Sequence, residues 1–136
     1  ISINRIFAVL DAKPEVVDKP GSKEIKKVDG KIEFKNVKFR YDKNQPVIED
    51  INGIIEAGNR IGLVGSSGVG KTTLVNLLFR FYEPQEGKIL LDGMHLDNIK
   101  LKSLRSKIGF LSQDNIIFHK SIRENIAFGI PQEQIE

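Results

Sequence analysis

Cysteine is absent from these 136 residues, which excludes disulfide scaffolds and thiolate metal sites and is compatible with a reducing cytoplasmic setting. Long apolar runs are absent too. None approaches the roughly 18 residues that a membrane-spanning helix requires, and no secretory signal pattern opens the chain. Charge of one sign is also missing: 21 lysines and arginines alternate with 18 acids for a net charge of +3. Without a dense basic block, nucleic acid is not expected as a partner. Internal repeats and low-complexity tracts are not found. What remains, 40% hydrophobic and 29% charged, is the balance of an ordinary globular domain with its own core. The first residue is Ile1 rather than Met, so the chain is expected to be a piece of a longer protein.

Periodicity divides the chain into three parts. In residues 1–11 the apolar positions 1, 3, 6, 7, 9 and 10 share one broad helical face. Residues 12–30 carry Pro14, Pro20, Gly21, Gly30 and many charges with little apolar content, and read as a linker. Residues 31–136 begin with alternation, Ile32, Phe34, Val37 and Phe39, broken once at Asn36-Val37. The alternation predicts a half-buried strand, and the break predicts a bulge or turn. A second strand is expected over 47–56. The short apolar run Ile61-Gly62-Leu63-Val64-Gly65 predicts a strand buried on both faces. A glycine-rich loop follows, then a helix from about residue 70 with Leu74, Leu77, Leu78 and Phe81 on one stripe, stopped by Glu83-Pro84. Strands are expected at 87–91, closed by an Asp92-Gly93 turn, and at 107–111. Short helices are expected at 101–106 and 121–128, the latter with Ser121 as N-cap and Glu124 three residues on.

The loop carries the chemistry. Gly65-Ser66-Ser67-Gly68-Val69-Gly70-Lys71-Thr72 satisfies G-x-x-x-x-G-K-[ST] at every specified position, a match expected by chance in about one chain in two hundred of this length. It also lies between an apolar run and an amphipathic helix, where the motif belongs. Glycines at 65, 68 and 70 let successive N–H groups curl toward one concavity with no Cβ in the way. The helix start adds unpaired N–H groups and the positive end of its dipole. Lys71 would reach the β- and γ-phosphates and the Thr72 hydroxyl would ligate Mg²⁺.

With that loop in place, the chain resembles the ATP-binding cassette (ABC) transporter family, exporter type, over nearly all of residues 1–130. Tyr41, in F-R-Y, matches the aromatic that stacks on adenine in the family, and any base offers a π-face for such stacking. Residues 47–65 resemble the family's approach to the phosphate loop, apart from Gly53, where a bulky apolar residue is usual. I-G-F-L-S-Q-D-N-I-I-F at 108–118 resembles the Q-loop. The resemblance implies that Gln113 contacts Mg²⁺ or the attacking water, which suits an amide that accepts hydrogen bonds without stranding a charge. S-I-R-E-N-I-A-F-G at 121–129 is similar to exporter cassettes, and N-R-I-F-A-V-L-D at 4–11 resembles the end of a membrane helix entering the cassette.

Several look-alikes are set aside. Ile89-Leu90-Leu91-Asp92 imitates an apolar run ending in a metal-binding Asp, but it lies close after the loop and Gly93 follows. It reads as a strand with an Asp-Gly turn. Leu111-Ser112-Gln113 is not the start of the family's signature. His95 and His119 read as surface residues, and Lys23, Lys26 and Lys27 as a solvated face.

The expected fold is therefore α/β, a P-loop NTPase core fragment of the ABC ATPase kind with an antiparallel β front subdomain. The resemblance implies ATP and Mg²⁺ as cofactors, bound by Tyr41 and by Gly65, Ser66, Ser67, Gly68, Val69, Gly70, Lys71, Thr72 and Thr73. Lys71 and Gln113 are the catalytic candidates, Thr72 and Gln113 the metal ligands. It further implies a second nucleotide-binding domain and a transmembrane domain as partners, and a place at the cytoplasmic face of a membrane. The signature, the Walker B Asp, the catalytic Glu and the switch His would lie beyond residue 136, so these residues alone would bind ATP without turning it over. An ATP-binding regulatory module, a non-transport cassette and another P-loop enzyme are the alternatives. A GTPase would want N-K-x-D, a string the chain does not contain.

Overall fold

The computed structural model describes residues 2–42, 45–111 and 117–130. Helix α1 spans Ser2–Leu10. Strands β1 (Ile32–Arg40) and β2 (Pro46–Ile55) pair antiparallel, and β3 (Glu86–Leu91) pairs antiparallel with the other edge of β1. A short β4 (Met94–His95) completes a four-stranded sheet in the order β2-β1-β3-β4. Helix α2 (Lys71–Leu78) follows the glycine-rich loop, a 3₁₀ turn covers Leu96–Asn98, and α3 (Leu101–Arg105) and α4 (Ile122–Ile126) come later.

The break in the β1 alternation is a bulge. Asn36 takes a left-handed φ of 50° and the register shifts between Phe34 and Val37. The extra residue returns Val37 to the face of Phe34, so both are buried despite their odd spacing. The opposite strand adapts with Gly87, whose φ is 79°; a Cβ there would lie 2.1 Å from the Asn36 carbonyl oxygen. The β3–β4 hairpin turns on Asp92 and Gly93, φ 50° and 79°, the pair of positive values that a two-residue turn needs. Phe34, Val37 and Phe39 of β1, Ile48 of β2 and Ile89 and Leu91 of β3 form one core with Leu77 of α2, Leu96 of the 3₁₀ turn, Ile99 just after it, and Leu104 of α3.

Two expectations are corrected. Residues 61–65 and 107–111 form no strand: Val64 is 96% and Leu111 86% exposed. A strand exists only by pairing, and among the described residues no strand runs beside either segment. Helix α2 stops at Leu78 rather than continuing to Tyr82. Arg80 takes φ 49°, its N–H donates to Leu77 O and the Phe81 N–H to Asn76 O, the bond pair of a Schellman stop. Arginine occupies the position where glycine usually signals this ending, so the sequence hides it. The segment 12–30, expected as a linker, lies against the fold. Lys23 bridges Ile99, and Asp92 accepts hydrogen bonds from the N–H groups of Asp29 (2.8 Å), Gly30 (3.0 Å) and Lys31 (2.8 Å).

Candidate functional site

The site grows from the loop between the extended residues 61–64 and α2. Gly68 and Gly70 have φ of 83° and 97°, conformations that side chains rarely adopt. A Cβ on Gly70 would press to 3.1 Å from the Val47 carbonyl oxygen, and one on Gly65 to 2.9 Å from Val69 Cγ1. Gly70 is therefore favoured by close approach as well as by φ, and Gly68 by φ alone. Gly70 sits at the N-cap of α2 and makes no side-chain cap. The first turn thus offers N–H groups that its N-cap residue does not satisfy, at the positive end of the helix.

Lys71 is curled back over the loop: its Nζ donates to Gly65 O at 2.9 Å and Ser66 O at 2.7 Å. Ser66, Ser67, Gly68, Val69 and Thr72 are exposed. Thr73 is buried, and its hydroxyl lies 3.1 Å from the Tyr41 hydroxyl. That contact joins the end of β1 to the phosphate-loop helix. Tyr41 meets Phe39 and Tyr82 edge-on, centroids 4.9 and 5.0 Å apart, and remains 51% exposed. It is at once a member of an aromatic cluster and a half-open platform. A trough of about 440 Å³ runs along Tyr41, Arg40, Tyr82 and Val16. The phosphate loop does not line it. Gln113 lies outside the described residues.

The look-alikes fall as expected, with one difference. Asp92 spends its carboxylate on the backbone of 29–31, and His119 and Lys23, Lys26 and Lys27 are exposed. His95 is only half-exposed, its Nδ1 3.9 Å from Asp97 Oδ1. Among the described residues no group of three or more His, Cys, Asp or Glu could hold a metal.

Four residues escaped the sequence reading. Arg80 is buried at 2% exposure; its only sequence signal is a charge inside the apolar run Phe79-Arg80-Phe81-Tyr82. Arg105 donates to the carbonyls of Phe79 (3.1 Å) and Arg80 (2.9 Å), satisfying the end of α2. Asn125 accepts from the Phe118 N–H and donates to the carbonyls of Phe118, Lys120 and Ser121. Asp97 accepts from Lys19 Nζ at 2.6 Å. Burial pushes the Asp97 carboxyl up, but the hydrogen bond and charge of Lys19, with His95 and Arg80, outweigh it and hold it below its ordinary range.

Residues 48–136 match the family model described as ABC transporter. The chain belongs to the ABC transporter family. It is 44% identical over 125 residues to an ATP-dependent lipid A-core flippase of Syntrophus aciditrophicus, covering 92% of this chain and 21% of the relative. It is 44% identical over 131 residues to a fatty acid ABC transporter ATP-binding/permease protein of Mycobacterium bovis, covering 96% of this chain and 20% of that protein. The chain therefore spans about a fifth of the length of these relatives. A structure of a bacterial Atm1-family ABC exporter with ATP bound superposes with a TM-score of 0.84 at 37% identity, over 93% of this chain and 22% of that one. The ABC ATPase fold of this chain rests on that match, with the antiparallel β1–β4 sheet as its front.

Proposed function

We propose that residues 65–73, with Tyr41, hold Mg-ATP, and that the full-length protein hydrolyses it to drive export across a membrane. One observation carries the reading: a loop turned by left-handed Gly68 and Gly70 leads into a helix whose N-cap is the side-chain-free Gly70, with the Lys71 ammonium folded over it. This donor set fits a polyphosphate. The backbone N–H groups and helix dipole favour negative charge, and Lys71 can exchange its two carbonyl partners for phosphate oxygens with little movement of the chain. Thr72, exposed beside it, would hold Mg²⁺ together with Gln113. Mg²⁺ would neutralise charge on the β- and γ-oxygens. Tyr41, half-open and anchored to the same helix through Thr73, supplies a face for adenine.

Hydrolysis needs groups that residues 65–73 do not offer: a base for water and a second cassette closing over the phosphates. A second nucleotide-binding domain is accordingly the proposed partner. The relatives named as flippase and permease support a transmembrane domain as the other, with residues 1–11 leading from it, 12–30 as the link and 31–136 beginning the nucleotide-binding domain at the cytoplasmic face of the membrane. The test is Mg-ATP binding and phosphate release by the full-length protein, beside Lys71→Ala and Tyr41→Ala. Turnover should vanish in Lys71→Ala, while Tyr41→Ala should weaken nucleotide affinity by about 1–3 kcal/mol. Unchanged turnover in Lys71→Ala would refute the site.

A further inference from the structure

Behind the phosphate loop, at the far end of α2, one side chain joins three parts of the chain. Arg80 Nη1 donates to the carbonyls of Leu96 (3.1 Å) and Ile99 (2.7 Å), and Nη2 to Val17 O (3.4 Å) and Glu83 Oε1 (2.8 Å). Arg105 grips the same helix end from α3 through the carbonyls of Phe79 and Arg80. The segment 17–25 is bound to the same platform, residues 96–104. Lys19 pairs with Asp97, Asp18 Oδ1 accepts from the Leu101 N–H at 2.7 Å, Lys23 N donates to Asn98 O at 2.8 Å, and Ile25 N to Ser103 Oγ at 2.9 Å.

A buried guanidinium is a poor stabiliser: hydrocarbon of the same volume often does as well or better. Arg80 also holds a left-handed backbone that arginine does not favour. Both costs are offset only by what a guanidinium can do and hydrocarbon cannot, namely bind carbonyls of several segments at once in fixed directions. Helix α2 is eight residues long, about 12 Å, with Lys71 at one end and this junction just past the other. A shift at residue 80 would have only this short helix to cross before reaching residue 71.

We propose that Arg80 is a positioning residue of the nucleotide site, coupling the segment 17–25 to the phosphate loop. Displacement of that segment loosens or tightens the loop, and by linkage nucleotide on the loop tightens the segment. The proposal rests on the reading of residues 65–73 as a nucleotide site, and the test separates the two. Amide hydrogen exchange is followed in the full-length protein with and without Mg-ATP, for the parent, Arg80→Lys and Lys19→Ala. In the parent, Mg-ATP is expected to slow exchange at 65–73 and, at least threefold, at 17–25. In Arg80→Lys the protection of 65–73 should weaken and that of 17–25 disappear, because an ammonium cannot span the carbonyls that the planar fork reaches.

Lys19 is half-exposed, so Lys19→Ala keeps the test open should Arg80→Lys not fold. It should raise the KM for ATP at least twofold with little change in kcat. Protection at 65–73 with 17–25 unmoved in the parent overturns the coupling alone, as does a Lys19→Ala protein with an unaltered KM. No protection at 65–73 in the parent overturns the nucleotide reading and the coupling with it.

Discussion

Tyr41 shows how a single residue serves two masters. Its ring packs edge-on against Phe39 and Tyr82, and its hydroxyl reaches Thr73 at 3.1 Å. The ring is the part that would meet a base, whereas the hydroxyl orients the ring against α2. Tyr41→Phe should therefore keep nucleotide affinity within about tenfold, since a neutral hydrogen bond contributes roughly 0.5–1.5 kcal/mol. Tyr41→Ala should lose far more. Equal losses in a binding titration of the two variants would mean that the hydroxyl, not the ring face, makes the contact. The glycines of the loop and Lys71 were legible as a motif, because their spacing is the chemistry. Arg80 was not, because a charge inside an apolar run does not by itself tell a buried arginine from a solvated one. Its distant partners are carbonyls of residues 17, 96 and 99, which only the fold brings together.

At the level of elements, local signals held where the element needs only itself or its neighbour. Ser121 and Glu124 form the anticipated capping box: the Ser121 hydroxyl accepts from the Glu124 N–H at 3.3 Å and donates to the Glu124 carboxylate at 2.7 Å. That bond, with the one from the Ser121 N–H, holds the Glu124 carboxyl below its ordinary range. Ser121→Ala should cost the helix about 1 kcal/mol and speed amide exchange across 122–126 about fivefold. The bulge at Asn36 was likewise visible as a break in alternation. Its counterpart Gly87 was not, because the demand comes from the neighbouring strand. Gly87→Ala would set a Cβ 2.1 Å from the Asn36 carbonyl oxygen at φ 79°. It should cost about 3 kcal/mol or more, to be read as a lowered melting temperature and a poor yield of folded protein. A melting temperature close to the parent's would show that β1 and β3 can part at the bulge.

Over the whole molecule, one contact that docks residues 17–31 is set by charge. Lys19 is held above its ordinary value of 10.5 by the hydrogen bond to Asp97, and Asp97 below its ordinary 3.8. A raised lysine contributes stability below its unfolded pKa and loses it as pH rises through the folded value. A lowered aspartate contributes above its unfolded pKa and loses it as pH falls through the folded value. The bond is therefore complete between about pH 4 and pH 10 and fails at both ends. Both partners are a third or more exposed, so its contribution is small. Asp97→Asn should remove the acid limb: exchange at 17–25 should be faster than in the parent at pH 7, and the difference should vanish below the folded pKa of Asp97. Among the described residues Val64, Leu111, Ile117, Ile122 and Ile126 are all at or above 80% exposure. The 61–65 and 107–111 segments contribute the first two. Their composition is that of buried strands, but burial is a property of neighbours.

The sequence by itself determined the phosphate loop, the strand alternation, the Asp-Gly turn and the capping box, because each is written within a few residues whose backbone geometry follows from their own chemistry. Only the tertiary structure decided where α2 ends, which segments become strands, what Asp92 and Asp97 bind and what Arg80 joins. Those outcomes depend on which distant carbonyls and strand edges arrive alongside, and no local pattern carries that information.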